Sequence, residues 1–398
     1  MKKYLLLLLP FVLLLAACTA QETPQTSSSP ESSLPESSSP TEQSAVETPS
    51  EEELSAESSL PAEEDPPEEV PPLTMTQVST VTDNFAAVAD FRDFLAGGEK
   101  YALIPGLKEG IVPQGMGRHP VTGYVYISAY FTTENTPSVI LVLDEKGSFV
   151  AEYHMYKEDG NPYTGHMGGV CVTEEYLYFS GPGVGDYYGI GEIALADLPK
   201  KGAHDVTFTS VVPLPIHASY LFYDQGNLWA GTFYLSGSYD MGKYFNQKVK
   251  TSAGASYGGF TAMFPVDENG RLTVPEGSPY AVPTLTLATV DKVQGFTCRD
   301  GKVTLSISYG RNNNSTLDFY SIDPANATAN YTADGKTYPM IVLDDTNRVK
   351  KVTAMGMTEG ITLDEKGNVL ILFESGAQKY YNSKNPTDCV WRFPFPEE

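Results

Sequence analysis

Beyond residue 100 the chain is written in short apolar runs separated by tight polar turns. One phrase recurs five times: a small or polar entry, an apolar strand, a polar turn and a second apolar strand. The entries are Gln114-Gly115-Met116, Gly168-Gly169-Val170, Ser219-Tyr220-Leu221, Gln294-Gly295-Phe296 and Glu359-Gly360-Ile361. Turn dipeptides such as Asp300-Gly301 and Gly367-Asn368 supply the positive φ that hairpins need. A third strand follows each hairpin, at 138–144, 191–195, 260–267, 317–323 and 389–393, and fourth strands are expected at 149–154 and 208–212. Long helical periodicity is nearly absent, and only 84–95 (NFAAVADFRDFL) spaces its apolar residues as a helix does.

Four-stranded antiparallel units in tandem, about 40–50 residues each, are the signature of a β-propeller. One blade cannot bury both faces, so blades stack around an axis. The expected fold is all-β, a five-bladed β-propeller. The last unit lacks a fourth strand, and 101–104 is positioned to supply it and close the ring. The stretch 236–257 is rich in Gly, Ser, Lys and Tyr without apolar alternation. It reads as an insertion; a sixth blade arises only if it hides strands. The Gln-Gly and Glu-Gly entries resemble inner strands of NHL-type and gluconolactonase-like propellers and of five-bladed bacterial glutaminyl cyclases. That resemblance covers blade entries alone and implies the fold, while leaving the chemistry open.

The N-terminus follows different rules. Lys2 and Lys3 precede an apolar run, 5–17, that is too short for a comfortable membrane span. It ends in Leu15-Ala16-Ala17-Cys18, which resembles the lipobox of bacterial lipoproteins. The resemblance implies a signal peptide at 1–17, cleavage before Cys18 and lipid on its thiol. The chain would then sit on the extracytoplasmic face of the cell membrane. Residues 18–74 are dominated by Ser, Pro, Glu and Thr, and 19–72 contain no Lys or Arg. Such a stretch buries too little apolar surface to offset its ordering entropy, so a disordered, semi-extended tether is expected. The propeller is then assigned to 75–398.

Composition narrows the partners. The formal net charge is −24, much of it in the tether. Nucleic acid is disfavoured as a partner, and none is expected, since binding it requires a basic footprint. The cysteines other than Cys18 are Cys171, Cys298 and Cys389, whose spacing fits neither a zinc site nor a disulfide framework. Gly254-Ala255-Ser256-Tyr257-Gly258 matches the nucleophile-elbow pattern, but it lacks the strand-to-helix context and any later histidine.

The remaining candidate chemistry is positional. First strands of propeller blades line the central channel, so polar residues at their entries converge on one mouth. Gln114, Gln294 and Glu359 occupy equivalent positions, and His166 and His217 fall just before those positions in blades two and three. Glu374 ends the second strand of blade five. Tyr130, Phe233, Tyr234, Tyr309, Arg311 and Lys379, just after second strands, are expected to form a rim. The expected function is a surface-anchored module that binds a glycan, peptide or small solute at the channel mouth. A second reading is an extracellular enzyme, with Glu359, His166, His217 and Glu374 as catalytic candidates. It would be a metal-dependent hydrolase or lactonase, or, by the glutaminyl-cyclase resemblance, an acyl transferase with Glu359 as acid/base. A third is a protein-interaction scaffold. No cofactor is expected, although a metal at the mouth would fit the second reading.

Overall fold

A computed structural model describes residues 69–396; the expected signal peptide, Cys18 and the expected tether up to residue 68 lie outside the described residues. The fold is a five-bladed β-propeller, as the repeat predicts. The innermost strands are Ile111–Arg118, Val170–Val172, Tyr220–Asp224, Val293–Arg299 and Thr358–Leu363. They adjoin one another in a closed ring. Ring closure is also as expected: Glu99–Leu103 pairs antiparallel with Cys389–Phe393 as the outer strand of blade five.

The entry glycines explain how five inner strands fit around one axis. A Cβ on Gly115 would lie 2.8 Å from the Val170 nitrogen, and one on Gly169 would lie 2.5 Å from the Leu221 nitrogen. A Cβ on Gly360 would lie 2.6 Å from the Met116 nitrogen. Hydroxyls from second strands then tie neighbouring blades together. Ser128 Oγ donates to the Met167 carbonyl at 2.6 Å, and Ser180 Oγ donates to the Ala218 carbonyl at 2.6 Å. Buried apolar clusters fill the spaces between blades, for example Tyr153, Val170, Phe179 and Phe208 between blades one and two.

Three local expectations are corrected. The segment expected as a fourth strand at 208–212 divides in two. Gly202–Phe208 adds to blade one in parallel, and Ser210–Leu214 completes blade two. Period-2 patterning cannot show which sheet edge a strand will meet. A hairpin, Ala329–Ala333 with Lys336–Val342, was not foreseen. It extends blade three by parallel pairing with Leu285–Thr289 before Arg348–Ala354 completes blade four. The helix expected over 84–95 forms only as Ala89–Phe91 (3₁₀) and Arg92–Gly97 (α). Phe85 instead packs edge-on against Trp391, at 5.9 Å between ring centroids. The insertion 236–257 contributes only a two-stranded hairpin outside the blades, Val249–Lys250 with Ser256–Tyr257, so there is no sixth blade.

Residues ahead of the first strand lie along the ring junction. The Thr74 amide donates to buried Glu152 at 2.8 Å, and the Gln77 amide group donates to the carbonyls of Leu103 and Gly147. Thr80 N donates to Asp388 at 2.7 Å. Cys171, Cys298 and Cys389 are buried and free. No described helix is long and apolar enough to cross a membrane.

Candidate functional site at the channel mouth

The far ends of the inner strands are locked by ion pairs. The guanidinium of Arg299 (blade four) donates to the carboxylate of Asp224 (blade three) at 2.8 and 2.5 Å, and Arg118 (blade one) pairs with Glu365 (blade five) at 3.2 Å. At the opposite end, where the inner strands begin, lies a cavity of about 900 Å³.

The backbone aims the polar side chains into this cavity. Pairing of the first two strands slips between Pro113 and Gly115 in blade one and between Val293 and Gly295 in blade four. It slips again between Thr358 and Ile361 in blade five. Gln114, Gln294 and Glu359 sit at these three irregularities, and all three line the cavity. A bulge leaves a residue out of the ladder and re-aims its side chain. Lys292 and Met357, each three residues before the glycine of its blade, hold positive φ of 69° and 67°. That is a strained conformation for residues with a Cβ, and such strain is characteristic of functional sites.

The floor is a carboxyl pair. Glu359, 5% exposed, lies close enough to Glu374 for the two like charges to oppose each other. The Gln294 amide donates to Glu359 Oε1 at 3.0 Å, and the Gln114 amide donates to Glu374 Oε2 at 3.2 Å. Two carboxyls can hydrogen-bond only if one carries a proton. Burial, followed by the like charge of Glu374, raises the Glu359 pKa well above the carboxylate range. Burial likewise pushes Glu374 up to about 7, against the pull of its hydrogen bonds and of the charges on Lys379 and Arg311. This is how like charges at close quarters come to share a proton.

The walls are aromatic. His166 stacks on Tyr130, with centroids 4.3 Å apart and 15° between planes. His217 meets Tyr188 edge-on and holds Ser219 Oγ at 3.0 Å. Burial lowers the pKa of both imidazoles, and the Lys379 charge adds to this at His166. Both rings are therefore neutral at neutral pH. Lys379 Nζ donates to Tyr130 OH at 2.7 Å, and Arg311 lies over the Tyr380 ring, 4.7 Å from its centroid.

Of the residues expected from sequence, Gln114, Tyr130, His166, His217, Phe233, Gln294, Tyr309, Arg311, Glu359, Glu374 and Lys379 all line this cavity. Tyr234 is the exception. It is 7% exposed and packs in the core of blades two and three, its ring against Gly258 and beneath Lys248, while Phe233 next to it takes the cavity side. Neighbouring residues in extended chain face opposite ways, so only one of the two could line the mouth. Sequence reasoning missed Tyr188, Tyr239 and Tyr380. Tyr188 follows the glycine-rich loop that begins at Gly181, and Tyr239 comes from the 236–257 insertion; abundant tyrosine in long loops was the only signal for either. The three histidines outside the cavity are not part of the site. The ring nitrogens of His119, for instance, pair with backbone, accepting at Nδ1 from Val121 and Thr122. Among the described residues no cluster of His, Cys, Asp and Glu has metal-binding geometry.

The fold and site define the class: a five-bladed propeller with an acidic, aromatic-walled cup at one mouth of its channel. No family model matches the sequence, and no curated protein matches it. Solved structures with a similar arrangement include the glutaminyl cyclase of Myxococcus xanthus, at 11% identity and a TM-score of 0.35 over 75% of this chain and 95% of that one. The PQQ-bound aldose sugar dehydrogenase of Streptomyces coelicolor gives 13% and 0.35 over 75% and 97%. The Swd1 β-propeller domain of Myceliophthora thermophila gives 9% and 0.30 over 66% and 81%. At these identities and scores the likenesses say nothing about this chain's chemistry.

Proposed function

We propose that the chain is an exported lipoprotein, anchored through Cys18 on the extracytoplasmic face of the membrane. Its propeller binds a small polar solute, glycan or peptide in the cup at the channel mouth. The anchoring rests on the sequence 1–18 alone. The binding reading rests on one observation: three blades place Gln114, Gln294 and Glu359 at bulged positions facing one cavity of about 900 Å³. A cavity of that size with convergent polar groups and aromatic walls suits a ligand of a few hundred daltons. Anchoring is tested by labelling cells with a radioactive fatty acid; label on the wild-type chain and none on Cys18→Ser is expected, and label on both refutes it. Binding is tested by screening glycans and short peptides against the full chain purified in detergent. A ligand whose affinity falls at least tenfold in Glu359→Gln supports the cup, and equal affinity for both chains refutes it.

A second reading, an enzyme, is favoured by Glu374. A carboxyl held at about 7 is poised as a general acid or base at neutral pH, where an ordinary glutamate is fully ionised. Turnover of a screened ligand, with a pH–rate profile that loses its inflection near 7 in Glu374→Gln, would establish it. Binding without turnover would leave the cup a receptor.

A further inference from the structure

The hydrogen bonds of the floor specify the ligand more narrowly than the cavity does. Both glutamine side chains spend an N–H on the carboxyl pair. Among the described residues no hydrogen bond is donated to the amide oxygen of Gln114 or of Gln294, and both residues line the cavity. The floor therefore offers acceptors: two amide oxygens and the outward lone pairs of Glu359 and Glu374. Positive charge lines the wall of the same cavity. Lys379 and Arg311 both lie over the Tyr380 ring, 5.2 and 4.7 Å from its centroid, and both are exposed on the cavity wall. The same cavity therefore presents acceptors on its floor and two cations on its wall.

We infer that the cup binds a zwitterion, such as a short peptide or an amino-acid-like solute, whose ammonium group displaces the proton shared by Glu359 and Glu374 while its anionic group meets Lys379 and Arg311. This rests on the binding reading above and narrows it. An ammonium carries three donors, matching the acceptors on the floor. On binding, R–NH₃⁺ stays charged and the shared proton leaves to solvent. The floor goes from one negative charge to two, and the ammonium offsets the second. The bound cup is then near neutral: two carboxylates and the ligand anion face Lys379, Arg311 and the ammonium. The aromatic walls would flank any apolar side chain and add cation–π attraction for the ammonium.

Other groups facing the pair do not titrate in the same range. His166 and His217 are held neutral by burial. Tyr130 is pushed upward by burial and by its neighbours. Among the described residues facing the cavity, the carboxyl pair is the group raised towards neutrality.

The test uses three probes on the full chain by titration calorimetry: the dipeptide glycylphenylalanine, its N-acetyl form, which lacks the ammonium, and its amide, which lacks the carboxylate. Repeating each titration in two buffers of different ionisation enthalpy counts the protons exchanged. Expected for the dipeptide is net proton release around pH 7, with affinity rising with pH until the pair is ionised and then levelling. Both modified probes should bind at least tenfold more weakly. In the double variant Glu359→Gln/Glu374→Gln, which lacks both titrating groups, the proton release should vanish. The wild-type proton count does not depend on how any variant folds. Equal binding of the dipeptide and its N-acetyl form overturns the inference, as does dipeptide binding without proton release. A neutral glycan that binds at Glu359 while all three probes fail also overturns it but leaves the cup as a binding site. Failure of every ligand removes both readings.

Discussion

Replacing the floor carboxyls should change how stability depends on pH, by an amount the structure fixes. Glu374 rises from the ordinary 4.5 to about 7 in the folded protein. The folded chain therefore holds this proton more tightly than the unfolded chain does. Its stabilising contribution is complete below about pH 4.5 and is lost as pH rises to about 7; above that, the buried charge is carried at full cost. The difference corresponds to about 3 kcal/mol. Glu359 is shifted the same way, so it steepens the loss. In Glu374→Gln the remaining carboxyl keeps part of the slope, because burial still raises it. In the double variant Glu359→Gln/Glu374→Gln both titrations are gone. Urea denaturation of the wild type and the double variant, at about pH 4.5 and about pH 8, measures this. Relative to the wild type, the double variant should gain at least about 3 kcal/mol between the two conditions. Stabilities that run parallel with pH would show that the pair does not share a buried proton, and the reasoning about the floor would fall with it.

Two further outcomes follow from the ring. Gly360→Ala places a Cβ 2.6 Å from the Met116 nitrogen and 2.9 Å from the Gly115 carbonyl carbon, where only backbone could give way. A loss of more than about 3 kcal/mol in denaturation is expected, and a loss under about 1 kcal/mol would show that the inner strands are not so closely set. A chain beginning at residue 105 loses the strand Glu99–Leu103, and with it the closure of blade five, so Cys389–Phe393 becomes an open edge. It should melt well below a chain beginning at residue 69, and equal melting temperatures would rule out the closure.

The sequence by itself determined the number of blades, the N-terminal closing strand and the ring of polar residues, because these follow from local rules. Turn chemistry fixes each hairpin, alternation fixes which side chains face inward, and repetition carries Gln114, Gln294 and Glu359 to one end of the axis. The entry glycines were legible as a motif, although their reason, backbone packed on backbone, needed the neighbouring strand. Tertiary structure decided what depends on through-space neighbours. It sent Gly202–Phe208 to blade one and Ala329–Val342 to blade three, because an exposed sheet edge accepts any strand that reaches it. It put Phe233 in the cup and Tyr234 in the core, and it drew to the wall Tyr188, at the start of the strand Tyr188–Ala194, and Tyr239, from an insertion with no periodicity to read. Most of all it decided the state of the floor. Glu359 lies on the strand Thr358–Leu363, and Glu374, 15 residues later, directly follows the strand Val369–Phe373 that pairs with it. Their common proton depends on burial and on amides supplied by blades one and four, and no local pattern encodes that.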